Sequence, residues 1–81
     1  MTTKVNLPKS GMGIEEGTVT RWLKAIGDRV QQGEPIVEIE TAKALQEVEA
    51  PVSGTLAEIL VAQGDIAAVN TAIAVIEEDR G

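Results

Sequence analysis

Gly17 to Asp28 lies over Gly54 to Asp65 at a constant offset of 37 residues and without a gap, Gly-Thr over Gly-Thr at one end and Gly-Asp over Gly-Asp at the other. The match continues through Ile36 with Ile73, Ile39 with Ile76 and Glu40 with Glu77. Such self-similarity means that one supersecondary unit has been used twice. Two copies are too few for a solenoid, which buries its faces by stacking roughly three units or more. The arrangement left is a pair of interleaved halves related by a pseudo-two-fold axis. The stretch between the copies holds Glu40-Thr41-Ala42-Lys43-Ala44.

Each copy reads as short β-strands punctuated by glycine, proline and Gly-Asp. Lys4 to Leu7 alternates polar and apolar before Pro8, and Gly17 to Leu23 is rich in Thr and Val. Gly27-Asp28 and Gln32-Gly33 are turns around a very short strand at Val30. Pro35 to Glu40 alternates, with Val37 and Ile39 inward and Glu38 and Glu40 outward, and Ala44 to Ala50 puts Val48 and Ala50 on one face and Glu47 and Glu49 on the other. By the same parity Leu45 falls on the outer, acidic face beside the lysine. Pro51 to Gly54 makes the next turn, Thr55 to Val61 repeats the earlier strand, and Thr71 to Glu78 closes the domain.

In both copies the apolar positions break alternation at the same place, from Val19 to Trp22 and from Leu56 to Ile59. A β-bulge in each strand accounts for that. Trp22 reads as core, with Ile59 its counterpart. Ile66, Val69, Ile73 and Ile76 also have helical spacing, but the equivalent stretch of the first copy contains Gly33 and Pro35, both poor in a helix interior.

With 81 residues, the chain makes one domain, 1–81, in which 77–81 is polar and reads as a frayed tail or the start of a linker. There is no cysteine and no histidine, so a disulfide framework, a thiolate metal site and Ser-His or Cys-His catalysis cannot be built from it. Seven basic residues stand against 13 acidic ones, and Trp22 is the one aromatic residue. That balance argues against nucleic acid, whose binding needs clustered cations and stacking faces. No apolar stretch approaches the roughly 20 residues that span a bilayer, and the N-terminus lacks an apolar signal core. The expectation is a cytoplasmic, monomeric, non-catalytic domain without a metal and with no membrane partner.

A hairpin between Glu40 and Ala44 lifts Lys43 to its tip, where another enzyme's active site can reach the amine. On spacing alone, this is a solvated lysine with Glu40 as a cross-turn charge partner, worth less than ~1 kcal/mol when exposed.

The ordered set Glu16-Gly17-Thr18-Val19, Trp22-Leu23, Gly27-Asp28-Arg29-Val30, Gly33-Glu34-Pro35-Ile36, Ile39-Glu40-Thr41-Ala42-Lys43-Ala44 and Val48-Glu49-Ala50-Pro51-Val52-Ser53-Gly54-Thr55-Leu56 resembles a lipoyl domain of the 2-oxo acid dehydrogenase type, over nearly the whole chain. The resemblance implies an all-β fold, a flattened barrel or sandwich of two four-stranded antiparallel sheets with quasi-two-fold symmetry. It also implies lipoate on Lys43 through an amide bond. Glu40, Gly27 and Gly54, with the turn's own Thr41, Ala42 and Ala44, are then expected to present the lysine. For both glycines the competing account is a backbone need for positive φ. Lys9-Ser10-Gly11-Met12-Gly13-Ile14-Glu15 is the expected partner loop, its alternative being a connector with Met12 or Ile14 on the core.

The implied partners are a thiamine-dependent E1 decarboxylase, an E2 acyltransferase core, an E3 dihydrolipoyl dehydrogenase, and a lipoate ligase or lipoyl/octanoyl transferase. The family's usual aspartate before the lysine is Ala42 here, which bears on which ligase accepts the turn. Biotin carriers share this pattern but set their lysine between methionines, whereas Lys43 lies between alanines. An unmodified adaptor module of the same fold would have a helical hairpin inserted where Lys43 stands.

Overall fold

The structure, a computed structural model, describes residues 1–8 and 15–79. Eight strands follow one another: β1 (Thr2–Asn6), β2 (Glu16–Trp22), β3 (Arg29–Val30), β4 (Pro35–Glu40), β5 (Leu45–Glu49), β6 (Gly54–Ile59), β7 (Ile66–Ala68) and β8 (Ala72–Glu78). They form two four-stranded sheets, β1-β8-β6-β3 and β5-β4-β2-β7, in which every pairing is antiparallel. This is the expected all-β sandwich; the sheets do not close into a barrel. Among the described residues no helix is long and apolar enough to cross a membrane.

The repeat becomes the symmetry of the fold. Strands β2, β3 and β4 have β6, β7 and β8 as their counterparts, and β1 has β5, so that swapping partners turns one sheet order into the other. The fourteen residues of the core cluster fall into seven such pairs: Val5 and Val48, Leu7 and Ala50, Val19 and Leu56, Val30 and Ala67, Ile36 and Ile73, Val37 and Ala74, Ile39 and Ile76. Both expected bulges are present, between Val19 and Arg21 and between Leu56 and Glu58. The halves interlock through their turns. The Gly27 amide donates to the Leu56 carbonyl at 2.8 Å, and the Gly64 amide donates to the Val19 carbonyl at 2.7 Å. Both glycines sit at positive φ, 96° and 93°, where a β-carbon is disfavoured.

Several expectations change. Trp22 is half-buried rather than core: it packs on the core's edge and its indole N–H donates to the Val61 carbonyl at 2.9 Å, which holds the polar end of the ring near the surface. Glu77 and Glu78 belong to β8 rather than to a tail, because β1 and β6 pair with them on either side. Beyond them Arg29 donates from Nη1 and Nη2 to the two Asp79 carboxylate oxygens, at 2.6 and 2.7 Å. Residues 80–81 lie outside the described residues. The helical spacing over 65–76 comes from β7, a turn and β8, with Asn70 in the left-handed region at φ 65°.

Glu34 shows how the turns are held. Its carboxylate accepts from the Gln31 amide at 3.0 Å and meets the Lys24 ammonium at 3.1 Å. The backbone hydrogen bond first, and Lys24 second, hold its pKa below the usual carboxylate value. A depressed folded-state pKa contributes stability above the unfolded value near 4.3, and that contribution is lost as pH falls through the folded value. Glu34→Gln should therefore lower the unfolding midpoint slightly at about pH 7 and have a smaller effect at about pH 3, below the unfolded-state value, where that contribution is already being lost. Equal differences in midpoint at the two pH values would contradict this account.

Candidate functional site

The hairpin between β4 and β5 is closed by one residue, Thr41. Its amide donates to the Ala44 carbonyl at 2.9 Å, and its hydroxyl donates to the same carbonyl at 3.0 Å. The hydroxyl oxygen also accepts from the Ala44 amide at 3.3 Å and from the Lys43 amide at 3.4 Å. Threonine suits such a turn because its side chain can replace a backbone partner locally. The next register step is the Glu40–Leu45 pair, so Ala42, Lys43 and Ala44 all project into solvent.

Lysines elsewhere in the described residues are placed differently. Lys4 lies within β1 opposite Val75, and Lys24 is half-buried against Glu34. Lys43 is the lysine that stands on a turn between small, exposed alanines. By the pseudo-symmetry its hairpin corresponds to the place where β8 ends beside the start of β1, where the Glu78 amide donates to the Met1 carbonyl at 2.8 Å. The lysine hairpin and the β1–β8 pair thus belong to different sheets.

Beside the hairpin runs a groove of about 350 Å³ lined by Glu15, Glu16, Gly17, Thr18, Glu40, Thr41 and Ala42. It brings together the expected Glu40, Thr41 and Ala42 with the start of β2. Glu15, the one described residue of the expected partner loop, reaches this groove, and its carbonyl accepts from the Val69 amide at 2.9 Å. Lys9, Ser10, Gly11, Met12, Gly13 and Ile14 lie outside the described residues. Leu45 is 59% exposed, an apolar spot directly after the turn, as its parity predicted.

Gly27 and Gly54 are not part of this group. Gly27 is a positive-φ turn residue bonded to β6. Gly54 does not sit at positive φ; it opens β6, paired with Val30 and Glu78, where a β-carbon would come within 2.0 Å of the Glu77 carbonyl oxygen. The reason for that glycine is close strand approach, not a turn. The glycine beside the hairpin is its symmetry mate, Gly17, which in its own segment reads as a strand start. Its signal was in the repeat: Gly17 and Gly54 head equivalent strands and meet equivalent neighbours, Glu40 and Glu77.

An eight-stranded sandwich that raises a lysine on a tight turn has the build of a carrier domain. The family described as "Biotin-requiring enzyme" matches residues 3–76. The acetyltransferase component of the pyruvate dehydrogenase complex of Corynebacterium glutamicum is 45% identical over 72 residues, covering 89% of this chain and 11% of that protein. The acetyltransferase component of the acetoin cleaving system of Bacillus subtilis is 43% identical over 76 residues, 94% of this chain and 19% of that protein. The solution structure of the lipoyl domain of the 2-oxoglutarate dehydrogenase complex from Azotobacter vinelandii superposes with a TM-score of 0.70 at 33% identity, covering 91% of this chain and 96% of that one. The chain belongs to the biotinyl/lipoyl attachment family, and within it is a lipoyl domain. It spans a tenth to a fifth of the length of the curated relatives named.

Proposed function

We propose that Lys43 is the lipoyl attachment site of this domain, and that the domain carries acyl groups and reducing equivalents within a 2-oxo acid or acetoin dehydrogenase complex. The observation that carries the reading is Lys43 itself, exposed on a Thr41-closed turn between two alanines. The residues fit the group, since a lipoyl amide needs a reachable primary amine with room on both sides, and methyl groups are the smallest flanks an L-residue offers. Bound there, lipoate would supply redox and acyl-transfer chemistry through its ring sulfurs.

What the chain does is hold and present. The deprotonated Lys43 Nζ attacks the carbonyl of a lipoyl group that the loading enzyme holds as an activated ester or anhydride. The amide C–N bond forms as the bond to the activating group breaks, that group leaves, and the amine's protons lost on the way pass to solvent, which makes the domain one unit more acidic than its formal −6. Thr41 keeps the turn closed while the arm swings. Glu15, Glu16 and Glu40 line the neighbouring groove with carboxylates, which favours basic surfaces around the sites the arm must enter. Tethering keeps the reactive end at roughly millimolar effective concentration near each site in turn. Those sites belong to a thiamine-dependent decarboxylase, an acyltransferase core and a dihydrolipoyl dehydrogenase; loading falls to a lipoate ligase or lipoyl/octanoyl transferase. The domain carries and does not catalyse.

The test is intact mass and peptide mapping after co-expression with a lipoate ligase. One lipoyl increment on the Lys43 peptide is expected. A biotin increment, or no increment where a control lipoyl domain is fully loaded, would overturn the reading.

A further inference from the structure

We propose that Thr41 forms a seat that aims Lys43 and is the positioning residue for lipoyl attachment, with Gly17 letting the hairpin come down beside β2; this rests on reading Lys43 as the acceptor. The two ends of the Thr41 side chain do different things. The hydroxyl takes the Lys43 and Ala44 amides and gives its proton to the Ala44 carbonyl, so the backbone on both sides of the lysine α-carbon is tied to one oxygen. The methyl points the other way, toward β2. The methyl carbon lies 3.6 Å from the point where a β-carbon on Gly17 would stand, and the Glu40 carbonyl oxygen lies 3.4 Å from it.

Gly17 is what lets the hairpin come down so far. A β-carbon there would meet the Ile39 Cγ2 at 2.5 Å, so any other residue forces that side chain, on β4 just before the turn, to give way. Threonine's branched β-carbon allows few rotamers, which holds the hydroxyl where both amides reach it. The lysine then leaves the domain along one direction, and a ligase meets its amine already oriented instead of paying for that order at binding.

Serine keeps the hydroxyl and loses the methyl, while valine keeps the shape and loses the hydroxyl. Steady-state loading by a lipoate ligase should therefore separate them. Thr41→Val is expected to lose about tenfold or more in kcat/KM, mostly in kcat. Thr41→Ser should stay within about threefold of wild type. Acylation of Lys43 by a small activated ester, which needs no docking, should run at the wild-type rate in both. Amide hydrogen exchange reports on the seat without any ligase: Lys43 and Ala44 should exchange faster in Thr41→Val, with Ile39 unchanged. Loading of Thr41→Val at the wild-type rate, equal losses in the two variants, or unchanged exchange at Lys43 and Ala44 would overturn the proposal. If wild type takes no lipoyl group on Lys43, the acceptor reading fails by itself, and the exchange measurement still decides the seat.

Discussion

Lys43→Arg is expected to fold as wild type does and to carry no lipoyl group under conditions that load wild type fully. Arginine keeps the positive charge and nearly the reach, so the turn and its surroundings see little change, and an exposed substitution of this kind costs within about 0.5 kcal/mol. The guanidinium stays protonated and is no acceptor for an acyl group. Loss of loading without loss of fold therefore isolates the amine as the cause. Intact mass gives the first quantity and a thermal melt the second. Wild type should also run one charge more acidic after loading on a native gel, while the variant does not shift. Persistence of the increment in Lys43→Arg, on Lys4, Lys9 or Lys24, would sink the assignment. The environments of Lys4, inside a paired strand, and Lys24, held by Glu34, argue against that outcome.

Much of this was written in the order of residues. The offset between Gly17 and Gly54 predicted the pairing of β2 with β6 as symmetry mates, and the matched break in alternation at Thr20 and Ala57 predicted two bulges that the register shows. These features are local or repeated, and a repeat carries its own control: what looks accidental in one copy is explained if it recurs in the other. The hairpin at 41–44 was legible for the same reason, lying between strands whose parity is unambiguous.

Contacts made across strands were less legible. Gly17 looks like the start of a strand, and only the β2–β4 register, with Thr18 opposite Glu40, places it under the turn. Glu16 and Thr18 enter the groove by the same register. Thr41 was read as a turn residue, but its hydroxyl's convergence on Lys43 and Ala44 depends on a rotamer that sequence does not encode. Strand β7 escaped because Ile66-Ala67-Ala68 is short and Ala-rich, and its strand character comes from pairing with β2 and not from propensity. The role of Gly54 was misread for a related reason. Glycines are most often read as turn residues, whereas this one exists for what lies beside it.

That reading gives the largest stability effect to Gly54→Ala. The added carbon would lie 2.0 Å from the Glu77 carbonyl oxygen, 2.9 Å from its carbonyl carbon and 3.0 Å from the Glu78 α-carbon. All three are backbone atoms of β8, which is held between β1 and β6 and cannot step aside without breaking one ladder or the other. Overpacking a relaxed core costs about 1–3 kcal/mol, and a clash with fixed backbone belongs at or beyond the top of that range. A domain of this size has only about 4–12 kcal/mol to lose, from roughly 0.05–0.15 kcal/mol per residue. Each kcal/mol moves the midpoint by about 4–8 °C, so the melt of Gly54→Ala should fall by about 12 °C or more. Gly17→Ala should be milder, since its nearest obstacle at 2.5 Å is a side-chain methyl of Ile39, which can give slightly. Gly27→Ala should be mildest of the three: nothing lies within 4 Å, and only its φ of 96° is strained, at about 1–2 kcal/mol. Melts of the three variants in one buffer test the ranking. A Gly54 variant that unfolds no earlier than the Gly27 variant would mean that β6 and β8 are not in the close contact on which the interlock of the two halves depends.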